Sequence, residues 1–354
     1  MAFCKTRAAL AALSVALLAA CGDSGPSQFN ATGMNNDLAQ LNEIASDPDL
    51  NQVFNGVGQV LGGPLLTLSQ VASRPLQSRD AKAVAAALAS ARRHPAAISA
   101  SAGSIPPEAA GKTWVYNPET GDYEVSDLTG APSNGVRILL YEQDINGDFI
   151  LPLVETGHVD LTDLSSGSTG KARLQAVKGS KTVLDYTVTV TGDETNGSMG
   201  VDGFLAMPFG RLDVDFSANG TDNGTTSTFD LQSSLDFSAQ DLSFDFAMNG
   251  TSNDEDGTVD FTLTETIKSP NGRMDVIGSS SADTDPTITI KVNGDTWATY
   301  DGETLTPVDG RTLTGDEQQA LSGAADLTFI GILLPIEMVL VIAVLTGSVP
   351  GLPL

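Results

Sequence analysis

The chain has 354 residues, 41% of them hydrophobic, and a formal net charge of −26 at pH 7. That length allows one large or two medium domains, and the charge argues against nucleic acid as a partner, because its field repels phosphate backbones and favours cations or basic proteins. Only two cysteines occur, Cys4 and Cys21, both at the N-terminus, so the body has no disulfide, no cysteine nucleophile and no thiolate metal site.

Residues 1–20 read as a signal peptide. Lys5 and Arg7 make a positive start, and Ala8 to Ala20 form an apolar stretch too short to stay as a membrane span. Leu18-Ala19-Ala20-Cys21 follows, with small residues before the cysteine. This stretch resembles the lipobox of bacterial lipoproteins, a resemblance confined to the first 21 residues. It implies cleavage before Cys21, diacylglycerol on the Cys21 sulfur, acylation of the new N-terminus and residence in the cell envelope. Gly22, in place of the aspartate associated with inner-membrane retention, implies the outer membrane, facing the periplasm or the cell exterior. Removing residues 1–20 takes away Lys5 and Arg7 and no acid, which leaves −28.

Residues 21–35 are small, polar and turn-prone, and read as a lipidated tether. Within it, Gly22-Asp23-Ser24-Gly25-Pro26 is similar to the nucleophile motif of trypsin-like proteases. It lacks one glycine and has no histidine upstream, so tether is the better reading.

Residues 36–110 are expected to be helical. Leu38, Leu41, Ile44 and Ala45 share one helical face, with Asn35 or Asn36 available as the cap. A second helix follows from Leu50 to Leu61 and stops at Gly62-Gly63-Pro64; a third spans Ser78 to His94. This region holds little of the excess charge, since residues 22–111 contain seven acids and five bases.

From residue 111 to 312 the period changes from 3.6 to 2. Leu184, Tyr186, Val188 and Val190 share a face; so do Leu212, Val214 and Phe216, then Phe229, Leu231, Leu235 and Phe237, then Leu242, Phe244, Phe246 and Met248. The intervening positions are Asp, Ser and Thr. One apolar and one acidic face is the pattern of an antiparallel sheet with one solvated side. Asn-Gly pairs between and beside the runs suit type I′ hairpin turns. The expected fold is therefore α+β, mainly antiparallel: a curled meander or half-barrel of roughly ten strands, covered by helices.

Residues 313–354 supply a hydrophobic C-terminal helix and tail. Thr314-Gly315-Asp316-Glu317 reads as a capping box, and Leu327 to Leu345 is nearly all apolar. The length permits a membrane span, but Glu337 near its centre would cost roughly 2.5–3.5 kcal/mol there. No basic cluster follows it. Burial of this helix in the apolar face of the sheet is the favoured reading.

Few residues suggest chemistry. Asp144, Asn146, Asp148 and Glu155 copy part of a calcium loop, with oxygen ligands at spacings a hard cation uses. Phe149 stands where that loop needs glycine, so an acidic hairpin turn is preferred. His94 ends a helix, and His158 lies on a strand with no nucleophile elbow in the chain. No catalytic or cofactor-binding residue is assigned. The expectation is a lipid-anchored envelope protein with a structural or interaction role, whose partners are the membrane, through Cys21, and another envelope protein. The alternative is a carrier or sensor that holds an apolar ligand or lipid in the concave face of the sheet.

Overall fold

The alternation beyond Lys112 produces one sheet of fifteen strands. In the computed structural model the described residues are 30–39, 53, 105, 107–144, 147–193, 195–207, 210–253, 258–281, 284–301 and 304–345. Cys21, the tether up to Phe29, most of the second and third expected helices, His94, Asn146 and the tail beyond Leu345 lie outside them.

The strands are β1 (Lys112–Asn117), β2 (Asp122–Ser126), β3 (Gly135–Tyr141), β4 (Glu155–Asp163), β5 (Gly170–Lys178), β6 (Lys181–Gly192), β7 (Asn196–Met207) and β8 (Gly210–Asp222). They continue as β9 (Thr226–Phe237), β10 (Leu242–Asn253), β11 (Thr258–Ser269), β12 (Gly272–Ser281), β13 (Thr284–Val292), β14 (Asp295–Tyr300) and β15 (Leu305–Pro307). From β3 to β15 each strand pairs antiparallel with the next. The β1–β2 hairpin departs from this meander, because β1 lies parallel to β3 and leaves β2 on the edge. The sheet is open, with β2 and β15 as its two edges.

The sheet is thus mainly antiparallel, as expected, but has fifteen strands rather than about ten. The extra strands carry weak alternation. In β5 the inward residues are Ala172, Leu174 and Ala176, and two of those three are small. β7 is broken by Gly197, Gly200 and Gly203. Gly203 faces Tyr186 across the ladder, where an added Cβ would lie 2.5 Å from the Cβ of Tyr186. The Asn-Gly pairs divide into two kinds. Asn293-Gly294 is a true turn, with both residues at positive φ (52° and 93°). Asn219-Gly220 and Asn249-Gly250 lie inside β8 and β10, and the Phe229 ring covers the backbone at Gly250, where an added Cβ would lie 2.6 Å from it.

Among the described residues, one long helix lies along the apolar face and a short one packs on it. Helix α1 (Ala31–Ala39) buries Ala31, Met34 and Leu38. It begins inside the stretch expected to be tether, because Asn30 rather than Asn35 or Asn36 is its cap: the Gly33 N–H donates to Asn30 Oδ1 at 2.9 Å. Asn35 instead donates to the carbonyl of Asp316, at 3.0 Å. Helix α2 (Gly315–Leu345) is the long apolar one. The capping box forms as read: Thr314 N donates to Glu317 Oε2 at 2.8 Å and Glu317 N to Thr314 Oγ1 at 3.3 Å. Arg311 adds two hydrogen bonds to the same carboxylate, both 2.8 Å.

Successive residues Ile330, Gly331 and Ile332, then Leu334, Pro335 and Ile336, are buried. Neighbours along a helix point about 100° apart, so burial of three in a row takes in more than half of its circumference. By length and composition Gly315–Ile336 could cross a membrane, yet 75% of that window is buried inside the protein. It packs on the apolar side chains of β6 to β10.

Candidate functional site

Each strand of the central sheet sends alternate residues to α2, and nearly all are apolar. Three of the buried positions that break that rule are Tyr186 on β6, Ser233 on β9 and Glu265 on β11. The first is a polar tip on an apolar ring. The other two are polar side chains in the apolar phase, between Leu231 and Leu235 and between Leu263 and Ile267.

All three reach α2. Ser233 Oγ donates to the Gly331 carbonyl at 2.6 Å. That carbonyl needs an outside donor, because its usual partner four residues on is Pro335, which has no N–H. The Tyr186 hydroxyl donates to the Met338 carbonyl at 3.1 Å, and its burial raises its pKa. Thr328 donates its hydroxyl to Glu265 Oε2 at 2.6 Å. Attachment thus passes from β11 through β9 to β6 as α2 advances from Thr328 to Met338, so the helix crosses the strands rather than running along them. The close approach also depends on Gly331, where an added Cβ would lie 2.3 Å from the Phe244 ring.

Among the described residues, Glu265 is the one charged type at the heart of this contact. It lies between Phe246 and Val276 across the sheet, is 2% exposed, and its Oε1 has no hydrogen-bond partner. Burial pushes its carboxyl up to about 7, with the Thr328 hydrogen bond pulling the other way. The side chain of Glu337, the acid singled out from the sequence, lies outside the described residues. Glu265 was missed although its signal was present, as an acid in the apolar phase of an alternating strand.

The partial calcium loop is a hairpin turn between β3 and β4. Asp144 and Asp148 share it, but the Asp144 carboxylate accepts the Asp148 N–H at 3.0 Å and Asp144 N donates to the Asp148 carbonyl at 2.8 Å. Phe149 turns inward, its ring centroid 4.0 Å from that of Tyr116. Glu155 opens β4 opposite Tyr141, and Asn146 lies outside the described residues. Among the described residues no group of three or more His, Cys, Asp or Glu side chains is placed to hold a metal ion. His158 also falls in a structural setting. Arg137 takes both oxygens of Asp160 at 2.7 Å, while His158 Nε2 is 3.8 Å from the same carboxylate. Burial first, and the Arg137 charge second, lower the imidazole pKa.

The solvated face of the sheet is acidic in pairs. Asp202 on β7 stands directly opposite Asp215 on β8, and Asp213 on β8 directly opposite Asp236 on β9. Like charges in register cost stability. Arg211 relieves one of them through a 2.6 Å hydrogen bond to Asp213.

No family model matches this chain, no curated protein matches it, and no solved structure matches it.

Proposed function

We propose that this is a lipid-anchored protein of the bacterial cell envelope with a structural or interaction role, held at Cys21 and displaying its acidic sheet face. The observation that carries this reading is the occupant of the apolar face. A carrier needs that face for cargo, whereas here the protein's own α2 lies on it, joined by Ser233, Tyr186 and the Thr328–Glu265 pair. Those contacts match the backbone defect at Pro335 and the groove at Gly331, which favours a permanent lodger over a lid. The like-charge pairs Asp202–Asp215 and Asp213–Asp236 fit the display of a surface meant for cationic or basic partners.

The test is native mass spectrometry of residues 22–354, exported without the lipid cysteine and purified without detergent. The bare mass of the chain is expected. A retained lipid or other apolar adduct would overturn the interaction reading in favour of the carrier. Intact-mass analysis of the exported full chain checks the anchor separately, through diacylglycerol and acyl mass on Cys21.

A further inference from the structure

Because β3 to β15 form a simple meander, their turns alternate between two ends of the sheet. The β3–β4 loop shares one end with the β5–β6, β7–β8, β9–β10, β11–β12 and β13–β14 turns. Helix α1 starts at that same end, since Asn30 Nδ2 donates to Asn271 Oδ1 in the β11–β12 turn at 2.7 Å, and Asn271 Nδ2 donates to Asp37 Oδ2 at 3.0 Å. Eight residues, and so nine Cα-to-Cα steps, separate Cys21 from Asn30. Fully extended they reach roughly 30 Å at ~3.3–3.6 Å each, so an anchored Cys21 keeps this end of the sheet towards the bilayer.

The same end carries an exposed apolar stretch. In Phe149-Ile150-Leu151-Pro152-Leu153-Val154, Ile150 is 39%, Leu151 63% and Val154 49% exposed. The loop is held out rather than left loose. Glu142 N donates to the Val154 carbonyl at 2.9 Å, Ile150 N to the Glu142 carbonyl at 3.0 Å, and Phe149 stacks on Tyr116. Exposed apolar groups that the fold holds in water mark a contact with something apolar.

Charge is compatible with the same orientation. Lys178, Lys181, Arg211, Lys268, Arg273 and Lys291 all lie at or beside turns of the anchored end. They mix there with more acids than bases, among them Glu142, Asp144, Asp148, Glu155, Asp241 and Asp295. At the opposite end lie Asp163, Asp193, Asp222 and Asp301, with Lys112 opening β1 and Lys171 beside the β4–β5 turn. Both ends are mixed in charge, and the six bases at the anchored end can meet the phosphates of zwitterionic headgroups.

We infer that Ile150, Leu151 and Val154 form a second membrane contact, inserting into the interface of the bilayer that Cys21 is anchored in. The inference rests on the lipid-anchored reading, and its experiment separates the two. The chain 22–354 carries a histidine tag in place of Cys21 and is held by nickel-chelating lipid on phosphatidylcholine–phosphatidylethanolamine vesicles. The attachment point is thereby supplied whether or not Cys21 is lipidated in the cell. With Cys4 and Cys21 gone, an introduced cysteine is the only one. A nitrobenzoxadiazole dye is placed at Leu151→Cys or, as control, at Thr225→Cys in the β8–β9 turn; both sites are exposed, so the fold tolerates them.

Blue-shifted emission quenched by nitroxide lipids is expected at position 151 and neither effect at 225. Without the tag, Leu151→Ser is expected to lower vesicle partitioning about tenfold, the factor for removing one largely exposed leucine from lipid. Equal emission at the two sites on vesicles would overturn the inference. So would a shift at 151 that lipid nitroxides do not quench, which marks a protein contact instead. Absence of lipid on Cys21 in the exported chain would overturn the anchor alone.

Discussion

Replacing Glu265 by glutamine should abolish a loss of stability that the natural chain suffers between about pH 5 and pH 7. The carboxyl is enclosed by Phe246, Val276 and α2, with Thr328 as its one hydrogen-bonding partner. An unfolded glutamate has the ordinary value of 4.5, whereas burial pushes the folded one up to about 7. The folded protein therefore holds this proton more tightly than the unfolded chain. Below the unfolded value the group is neutral in both states and costs nothing by ionisation. As pH rises to about 7 the unfolded state ionises first and is favoured, and above that the cost is constant. A gap of about 2.5 units at 1.36 kcal/mol each corresponds to about 3 kcal/mol. Glutamine keeps an acceptor for Thr328 but brings an amide N–H pair into a dry place, a cost of about 1–3 kcal/mol that does not vary with pH. The measurement is urea unfolding, followed by the fluorescence of buried Trp297, at several pH values across this range. The stability difference between Glu265→Gln and the natural chain should grow by about 3 kcal/mol from the acid to the alkaline end. A difference that stays constant would mean that the carboxyl reaches water or a base in the folded state, and the argument from burial would fail.

The pairing of Ser233 with the Gly331 carbonyl predicts a non-additive double-mutant cycle. Ser233→Ala alone should cost about 1–3 kcal/mol, because it strands a buried carbonyl; in a Pro335→Ala background, where the N–H of residue 335 can serve that carbonyl, the same change should cost clearly less. Equal costs in the two backgrounds, read by urea unfolding, would contradict the assignment. At the start of α2, Thr314→Ala should cost about 1 kcal/mol through the lost cap. Burial tends to raise the Glu317 carboxyl, but its hydrogen bonds with Arg311 and Thr314 outweigh that and hold it low. The stability it contributes is present above the ordinary glutamate value and lost as pH falls through the depressed one. Glu317→Gln should therefore flatten the acid limb of the stability curve, the opposite side from Glu265→Gln.

Much of the fold was legible because its signals are local. Alternation over β6, β8, β9 and β10 depends only on which side of a strand each residue faces. The capping box at Thr314 needs four consecutive residues and nothing else. Strands β5, β7 and β12 were not read, because alanine and glycine stand where large apolar residues would mark a face, and Ile277 lies on the wet side. Those small residues make sense only beside their neighbours, as Gly203 does beside Tyr186. Asn219-Gly220 and Asn249-Gly250 looked like turns for the same reason: the dipeptide permits a turn, and only the ladder shows that the chain runs straight through it.

The sequence alone thus determined an acidic, one-sided antiparallel sheet and a capped apolar helix, both set by short-range periodicity and backbone chemistry. Tertiary structure decided what that helix is for. Its length and composition also permit a membrane span. What keeps it inside is a set of matches between distant residues: Ser233 with the carbonyl freed by Pro335, Tyr186 with Met338, Phe244 with the space left by Gly331. Each member of those pairs is unremarkable in its own segment, since complementarity of this kind exists only once the sheet has brought both partners together.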